Sequence, residues 1–491
     1  MIGLRLFGRR TRRLHAATVE CLPPRAAGIH RAQLTTLVLC AGACVLHASA
    51  GHAEPLSRGA AVARALAQNP QLAAARSVEQ QAEARKEQVG AARFPALTLT
   101  LGLGPSLKAK RVPGTAAEST QNAYSDVGFN DLSVAIGSQL QVLQPLYTFG
   151  KIDERERATE HEIRARRAQT DMTRADIAYE VAELYEGMLY ARESERFLAE
   201  TAHWLERTAE STKRQIEQDT GLTEQDLARL QSALGAVQLG VNKATASRLQ
   251  AQAGLVAYLG LSAGTEITPR EDDLDLLPAP RSKDAVLIKL ALQRRPELRA
   301  LMEGSRAYEA LAKAEDAGNF PDFFALLFAS AAYTPGRDLV QTRYVQDPLN
   351  GFYPGLLVGA RWQLTGPMAS RRADEQQAMA RELEETRRWA EAGLPAQVTV
   401  ALEDIKRARG DVDAAEKAVV ISKQWLLRAS ADLSIGLGNS RDVADAARAY
   451  LELRIASYDA RYRNNVALAA LSRATGTLID AKASFYPTKE Q

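Results

Sequence analysis

Apolar residues recur along this chain with two different periods, and the switches between the periods come twice in the same order. In RFPALTLTLGLG, residues 93–104, Leu97, Leu99, Leu101 and Leu103 alternate with Thr98, Thr100, Gly102 and Gly104. A period of two predicts a strand with one apolar face. Residues 131–142 do the same, with Leu132, Val134, Ile136, Leu140 and Val142 set against Ser133, Ala135, Gly137, Gln139 and Gln141. The expected strands are ~93–107 and ~131–144, the second ended by Pro145 and Gly150. The period then changes. From Lys151 to about Asp219 the chain has no Pro, and Ile177, Val181, Leu184 and Met188 step by four, three and four, as on a packed helix. At 1.5 Å per residue such a helix spans roughly 100 Å. Thr223 is a natural N-cap for a return helix that closes at Gly260.

The second half repeats this order. The helical stretch 56–92, which runs into Phe94-Pro95, is matched by 283–317, which runs into Phe320-Pro321. Pro70 and Pro296, like the two Phe-Pro pairs, are 226 apart, whereas Asp226 and Asp442, and Gly260 and Gly476, are 216 apart. An internal duplication with a ten-residue loss between strands and long helices follows. Strands are expected at ~321–334 and ~354–366 and a helical hairpin over 368–476, with a kink at Gly393-Leu394-Pro395. The division is thus a first repeat 54–260, a Pro-rich acidic connector 261–282, a second repeat 283–476 and a tail 477–491. Pro95 and Pro321 suit strand starts, since proline cannot donate to a ladder. Phe and Leu fall on both faces of DFFALLFAS, so its register is the least defined of the four.

Composition changes the picture mainly at the N-terminus. Of 491 residues, the first 53 hold seven Arg, one Glu, all three cysteines (Cys21, Cys40, Cys44) and four of the six histidines. The apolar run AQLTTLVLCAGACVLHASA reads as an export signal, 1–53, cleaved after Ala50 or Ala53, with Ala53 preferred. A membrane anchor, or lipidation at Cys44, are the alternatives. The net charge of +3 is a property of this leader, because the rest has 55 basic and 58 acidic residues. A nucleic-acid partner therefore has no electrostatic footprint. With only His161 and His203 left and no Cys, no ordinary Cys/His zinc site can form. No nucleophile–base pair or phosphate loop is present, so neither an enzyme nor a cofactor is expected.

Alternation alone also suits a soluble sandwich. Strand 131–142 is, however, long enough to cross a bilayer at a tilt, and the Gly, Ser, Gln, Thr and Arg361 of the less apolar faces suit a wet lumen. Four strands cannot close, and an open edge is not tolerated in lipid. The chain must oligomerise, as a dimer with eight strands or a trimer with twelve.

The ordered set of NPQL and RPEL helix starts, Phe-Pro strand starts, QPLYTFGK, the duplication and GLGNSRDVADA resembles the TolC-like outer-membrane efflux channels over about residues 56–476. The resemblance implies a mostly α fold with a transmembrane β-barrel. Four strands per protomer make a twelve-stranded barrel in a homotrimer, above a periplasmic α-barrel of long hairpins. It implies a passive exit duct for efflux or type I secretion, in the outer membrane of a Gram-negative bacterium. Its partners would be outer-membrane lipid, a periplasmic adaptor and an inner-membrane RND, ABC or MFS pump. The alternative is an exported periplasmic coiled-coil adaptor or scaffold.

By spacing alone, Asp442 and Asp445 are solvated acids at a helix start, where the dipole favours them. The resemblance implies that they line a periplasmic gate, with Asp226 the tip acid of the first hairpin. It also implies that Thr220, Gly221, Leu222, Gly436, Leu437, Gly438 and Asn439 form the tips that meet the adaptor. Gly438 and Leu433 occupy the positions where the family pattern has a latching Arg and Tyr, which leaves Arg441 as a substitute.

Overall fold

The computed structural model describes residues 55–110, 131–218, 222–338, 347–364, 367–435, 437–480 and 484–487. The leader, with Cys44, lies outside them. The stretches expected to be single helices are each divided by a proline. The first becomes α1 (Arg58–Gln68) and α2 (Pro70–Ala91); its counterpart, later in the chain, becomes α5 (Asp284–Arg294) and α6 (Pro296–Asp316). Proline lacks the N–H that would continue the first helix, and it forces the preceding residue out of the helical region. Asn69 (φ −65°, ψ 126°) and Arg295 (φ −62°, ψ 123°) are both extended. Asn69 then caps α2, accepting the Gln71 N–H at 2.8 Å.

The long helices are α3 (Lys151–Glu217) and α7 (Met368–Ser434), each 67 residues, with return helices α4 (Glu224–Tyr258) and α8 (Ser440–Ala474), each 35. Pro395 lies inside α7 without ending it. α4 ends where α2 begins. The Asn69 amide donates to the Tyr258 carbonyl (2.9 Å), and Gly260 turns with φ +65°. In the second repeat the Arg295 guanidinium donates to the Arg473 carbonyl (3.1 Å), and Gly476 has φ +68°. α3 packs against α2 and α6 near the strands, and against α4 and α8 towards the far end. The two long helices thus run the length of the molecule, each flanked by two shorter ones abutting end to end.

The strands are β1 (Ala96–Leu107), β2 (Leu132–Tyr147), β3 (Asp322–Tyr333) and β4 (Gly351–Arg361), one antiparallel sheet in the order β1-β2-β3-β4. β2 and β4 differ most from expectation at their ends. β2 does not stop at Pro145 but absorbs it in a register shift against β3 and continues to Tyr147, as bulges permit. β4 starts at Gly351 and ends before Trp362; Pro354 is tolerated because β4 is an edge strand. Nine of the ten residues missing from the second repeat are lost between strand starts and long helix, and the tenth from the hairpin turn.

The core is a belt midway along the helices. Ile177, Val181 and Met188 of α3 are buried there, with Leu184 half-buried, against Val62 and Ala65 of α1, Leu255 and Leu259, Leu274, and Tyr486 of the tail. The connector is strapped into this belt. Arg192 donates to the carbonyls of Glu271 and Asp272, Arg461 to that of Leu274, Asn465 to that of Asp275, and Arg409 and Asn464 to that of Leu277.

Candidate channel wall and entrance

Sheet register decides what each face presents, because directly opposed residues share a face. Leu97, Leu99 and Leu103 stand opposite Val142, Leu140 and Ile136. These in turn face Leu327, Ala329 and Tyr333, and Leu327 and Ala331 oppose Leu356 and Phe352. This face is apolar across all four strands. Ser138 interrupts it, and Gln144 lies at its lower rim, donating to the Arg93 carbonyl (2.9 Å). Leu101 and Leu103 are 73% and 74% exposed within the chain, an area of apolar surface that water does not favour.

The opposite face carries Thr98, Thr100, Gly102 and Gly104 beside Gln141, Gln139, Gly137 and Ala135. On β3 it carries Phe324, Leu326 and Phe328, the residues that blurred the pattern in sequence. Glycines on β4 make room for them. A methyl on Gly355 would stand 2.2 Å from Cζ of Phe328, and one on Gly359 3.3 Å from Cζ of Phe324. The aromatic-over-glycine pairing fixes the register that alternation left open.

Phe94-Pro95 and Phe320-Pro321 sit just before β1 and β3, where helices give way to strands. The QPLYTFGK turn comes to the same level. Phe149 adopts φ +50° and Gly150 φ +84°. A positive φ is costly for phenylalanine, and packing holds it: its ring stacks on Phe320 (5.0 Å) and meets Tyr147 edge-on (4.7 Å). Lys151 binds Asp322 (2.7 Å) and the Phe320 carbonyl (3.2 Å), and the Trp362 indole donates to the Asn319 carbonyl (3.0 Å). The two repeats are thereby joined at this level.

At the far end are the two hairpin turns. Thr220, Gly221 and Gly436 lie outside the described residues. Thr223 and Asp226 form a capping box: the Thr223 N–H (2.9 Å) and hydroxyl (2.7 Å) both donate to Asp226 Oδ2. In the second turn Asn439 is the N-cap of α8. It accepts the Asp442 N–H (2.9 Å) and donates to Asp442 Oδ2 (3.0 Å). Asp442, Asp445 and Arg441 are exposed, Leu222 is half-buried, and Leu437 is 82% exposed. Gly438 is a steric requirement, since a methyl there would lie 2.8 Å from the Leu433 backbone nitrogen. Leu433 is buried with Ala429, Val443 and Ala446, so it packs the tip and presents nothing to a neighbour.

Asp226 is placed differently from the other two acids. Its Oδ1 accepts the hydroxyl of Ser440, on the other hairpin, and Arg229 lies 3.4 Å away. The hydrogen bonds from Ser440 and Thr223 hold its carboxyl below the usual aspartate value, with a smaller pull from Arg229, against a partial desolvation. A second polar centre, in the belt, has no signal in the sequence. The fully buried Glu186 accepts from Arg58 (2.5 Å), Asn465 (2.8 Å) and Tyr486 (2.9 Å). Burial alone would disfavour the Arg58 charge, but the pull of Glu186 and its hydrogen bond outweigh this and raise the guanidinium pKa. Glu186 lies on α3 and its partners come from α1, α8 and the tail, and only folding brings them together.

Residues 61–261 match the family model for outer membrane efflux proteins. Solved structures with the same fold include the Campylobacter jejuni CmeC outer membrane channel. It is 16% identical, with a TM-score of 0.68 over 88% of this chain and 87% of that one. The Neisseria gonorrhoeae MtrE outer membrane channel, in its open state, is 16% identical at a TM-score of 0.68 over 88% and 90%. The Vibrio cholerae outer membrane protein VceC is 18% identical at 0.66 over 85% and 96%. Over residues 61–261 the chain is thus similar to outer membrane efflux proteins, and over most of its length it shares the fold of solved outer membrane channels. No curated protein matches the sequence. At these identities the likeness to the solved structures is one of fold, and this chain's own residues must carry the rest. No helix among its described residues is long and apolar enough to cross a membrane.

Proposed function

We propose that the protein is the outer-membrane exit duct of a tripartite efflux or secretion system, passively conducting substrate from periplasm to exterior. The observation that carries this reading is the sheet: one face apolar across four strands, the other lined with Thr, Gly and Gln on β1 and β2 and with aromatic rings over glycines on β3 and β4, and both edges unpaired among the described residues. In lipid such a sheet must close with copies of itself. Three copies give twelve strands, wide enough for a channel. Aromatic residues support the placement. Phe94, Tyr147, Phe149, Phe320, Phe323 and Trp362 are exposed at the helix–strand junction, and Tyr333 and Phe352 at the other end of the apolar face. Ten residues separate Phe323 from Tyr333, about 33 Å along a strand. A tilt of about 40° leaves about 25 Å, the height of the apolar band of outer-membrane barrels between its aromatic girdles. A soluble periplasmic scaffold has no use for such a face.

The helices then reach roughly 100 Å into the periplasm, on the rise of 1.5 Å per residue. At their tips Leu437 and Ile435 offer exposed apolar side chains to an adaptor, next to Leu222, Gly438 and Asn439. Asp442 and Asp445 stand exposed at the start of α8. Three copies bring six carboxylates around one axis, which concentrates cations and repels anions. The leader delivers the chain for export, and the pump supplies the energy.

Fractionation and reconstitution test the reading. The protein is expected in outer membranes as a trimer that conducts ions across planar bilayers. Recovery from the soluble periplasm contradicts it. Replacing both Asp442→Asn and Asp445→Asn is expected to lower the cation-to-anion permeability ratio at low salt. Unchanged selectivity returns both residues to a capping and solvating role.

A further inference from the structure

At the end of the sheet away from the helices, the connection from β3 to β4 does not stand clear of the strands. Its first leg leaves β3 after Tyr333, crosses β2 and reaches β1, two strands away. On the way the Ser133 hydroxyl donates to the Pro335 carbonyl (2.8 Å), the Arg337 guanidinium to the Leu107 carbonyl (3.1 Å) and the Asp338 N–H to the Ala109 carbonyl (2.8 Å). The return leg is tied to the first. Arg337 binds Asp347 Oδ2 (2.5 Å), the Asn350 amide donates to the Arg337 carbonyl (2.6 Å), and the Thr334 hydroxyl donates to the Leu349 carbonyl (2.8 Å). The register tells which face is crossed. Ser133 and the opposed Ser106 continue the Thr, Gly and Gln face. Tyr353, opposite Ser330 and so on the face of Gln139, donates its hydroxyl to the Asp347 carbonyl (2.9 Å). Burial agrees with this. Ser106 and Ala135 are buried, whereas Thr98, Thr100 and Gly102 on the same face are exposed. At the level of Ser106, Leu107, Leu132 and Val134 on the apolar face are exposed too. The connection therefore covers only the polar side of the sheet.

We propose that residues 334–338 and 347–350 form a strap seated on the channel face of each sheet, and that the straps of the assembled copies narrow the outer mouth and set the size of solute that passes it. The inference rests on the exit-duct reading and deepens it, adding a size filter at the exit. Three features support it. Asp347 is 4% exposed, and its carboxylate is held both by Arg337 and by the Leu349 N–H (3.0 Å), so the tie between the two legs is shielded from water. The strap pairs with β1 through its backbone, in a parallel bridge between Ala109 and Arg337. Gly336 takes φ +79°, and a methyl on it would stand 3.1 Å from Cγ of Lys108, so the strap lies against β1 as closely as a glycine allows. A loop standing upright on the strand ends would leave the lumen at the full width of the barrel, and this one lies inside it.

The test uses the full chain, in intact cells and as assembled channels. Residues 45–491 contain no cysteine, so a single Ser106→Cys reports the cover, with Gly102→Cys, which has open space around it, as the reference. A membrane-impermeant thiol reagent added outside cells should label Ser106→Cys at least about tenfold more slowly than Gly102→Cys, because the strap must first open. This is expected although Ser106 lies nearer the outside. Adding Asp347→Ala should bring the two rates together. In planar bilayers, polymers of graded size added to the external side measure the mouth. Asp347→Ala and Arg337→Ala are expected to raise the largest size that enters, and Ser133→Ala, which removes one hydrogen bond, to raise it less. Equal labelling of the two cysteines in the otherwise unchanged chain overturns the strap, and needs no destabilising variant. An unchanged exclusion size in variants whose Ser106→Cys has become reactive overturns the filter. A wild type that carries no current contradicts the duct reading, and the labelling rates, which read the strap itself, tell that failure apart from the others.

Discussion

Two glycines show how single residues set the length of the molecule. Gly260 and Gly476 take φ of +65° and +68° at points where one helix abuts the next. A methyl on Gly476 would stand 2.9 Å from the Arg294 carbonyl, and one on Gly260 3.0 Å from that of Gln68. Left-handed backbone costs an L-residue about 1–2 kcal/mol, and here the obstruction is backbone, which cannot swing aside. Gly476→Ala and Gly260→Ala are therefore each expected to destabilise the helices by more than about 2 kcal/mol, the upper end of that range, seen as a lower midpoint of thermal loss of helical dichroism. Asp226 makes the matching point for charge. Its folded pKa is depressed, chiefly by hydrogen bonds from Ser440 and Thr223 and less by Arg229. A depressed carboxylate contributes fully above its unfolded value and loses that contribution as pH falls through the folded one. The contribution of Asp226 to thermal stability should thus be flat through the neutral and mildly acidic range and fall away only below about pH 4, the ordinary aspartate region. Asp226→Asn should remove that part of the pH dependence. The two glycines were legible in the sequence as helix stops. The partner of Asp226 was not, because Ser440 is 214 residues away and a serine at a helix start has local reasons to be there.

At the scale of elements, legibility followed the local signals. The alternation in β1 and β2 gave their faces, because Leu and Val alternate there with Thr, Gly and Gln. In β3 it failed, since both faces are apolar and the register depends on glycines of another strand beneath Phe324 and Phe328. Pro145 misled for a related reason: a proline ends a strand only where the ladder cannot bulge around it. The belt cluster had no local signature at all. Glu186 is one acid among many on α3, and only packing against Arg58, Asn465 and Tyr486 sets it apart. Those partners make a graded prediction. Glu186→Ala leaves the buried Arg58 with only the longer contact to Glu271 (3.4 Å) and is expected to cost about 3–5 kcal/mol. Tyr486→Phe removes one donor of three and is expected to cost about 1–3 kcal/mol. The Glu186→Ala midpoint should fall furthest, and a Tyr486→Phe midpoint equal to that of the wild type would mean that the tail does not contribute to the clamp.

For the whole molecule the proposed duct raises the question of how deep the sheet sits in the membrane, and one residue can report it. Trp362 follows β4 at the level of Phe320 and Phe149, is 57% exposed, and anchors its indole on the Asn319 carbonyl. An indole with one apolar body and one bonded N–H is suited to the boundary between acyl chains and headgroups. The other tryptophans, Trp204, Trp389 and Trp425, all lie on the long helices. If the junction marks the periplasmic edge of the membrane, Trp362 touches lipid and those three do not. A variant keeping Trp362 alone, reconstituted with lipids brominated at different depths, should be quenched most by bromines near the headgroup and least by those near the chain ends. The variant keeping Trp389 alone should be insensitive to all of them. Strong quenching of Trp362 by deep bromines would move the membrane down over the tops of the helices. That placement conflicts with the ion pairs of Arg93 to Asp153 and Glu156 and of Arg155 to Glu315, which lie in the first helical turns below the junction. Charges so exposed are expensive inside a hydrocarbon layer. The depth measurement therefore tests the sheet, the aromatic girdle and the helical charges against one another.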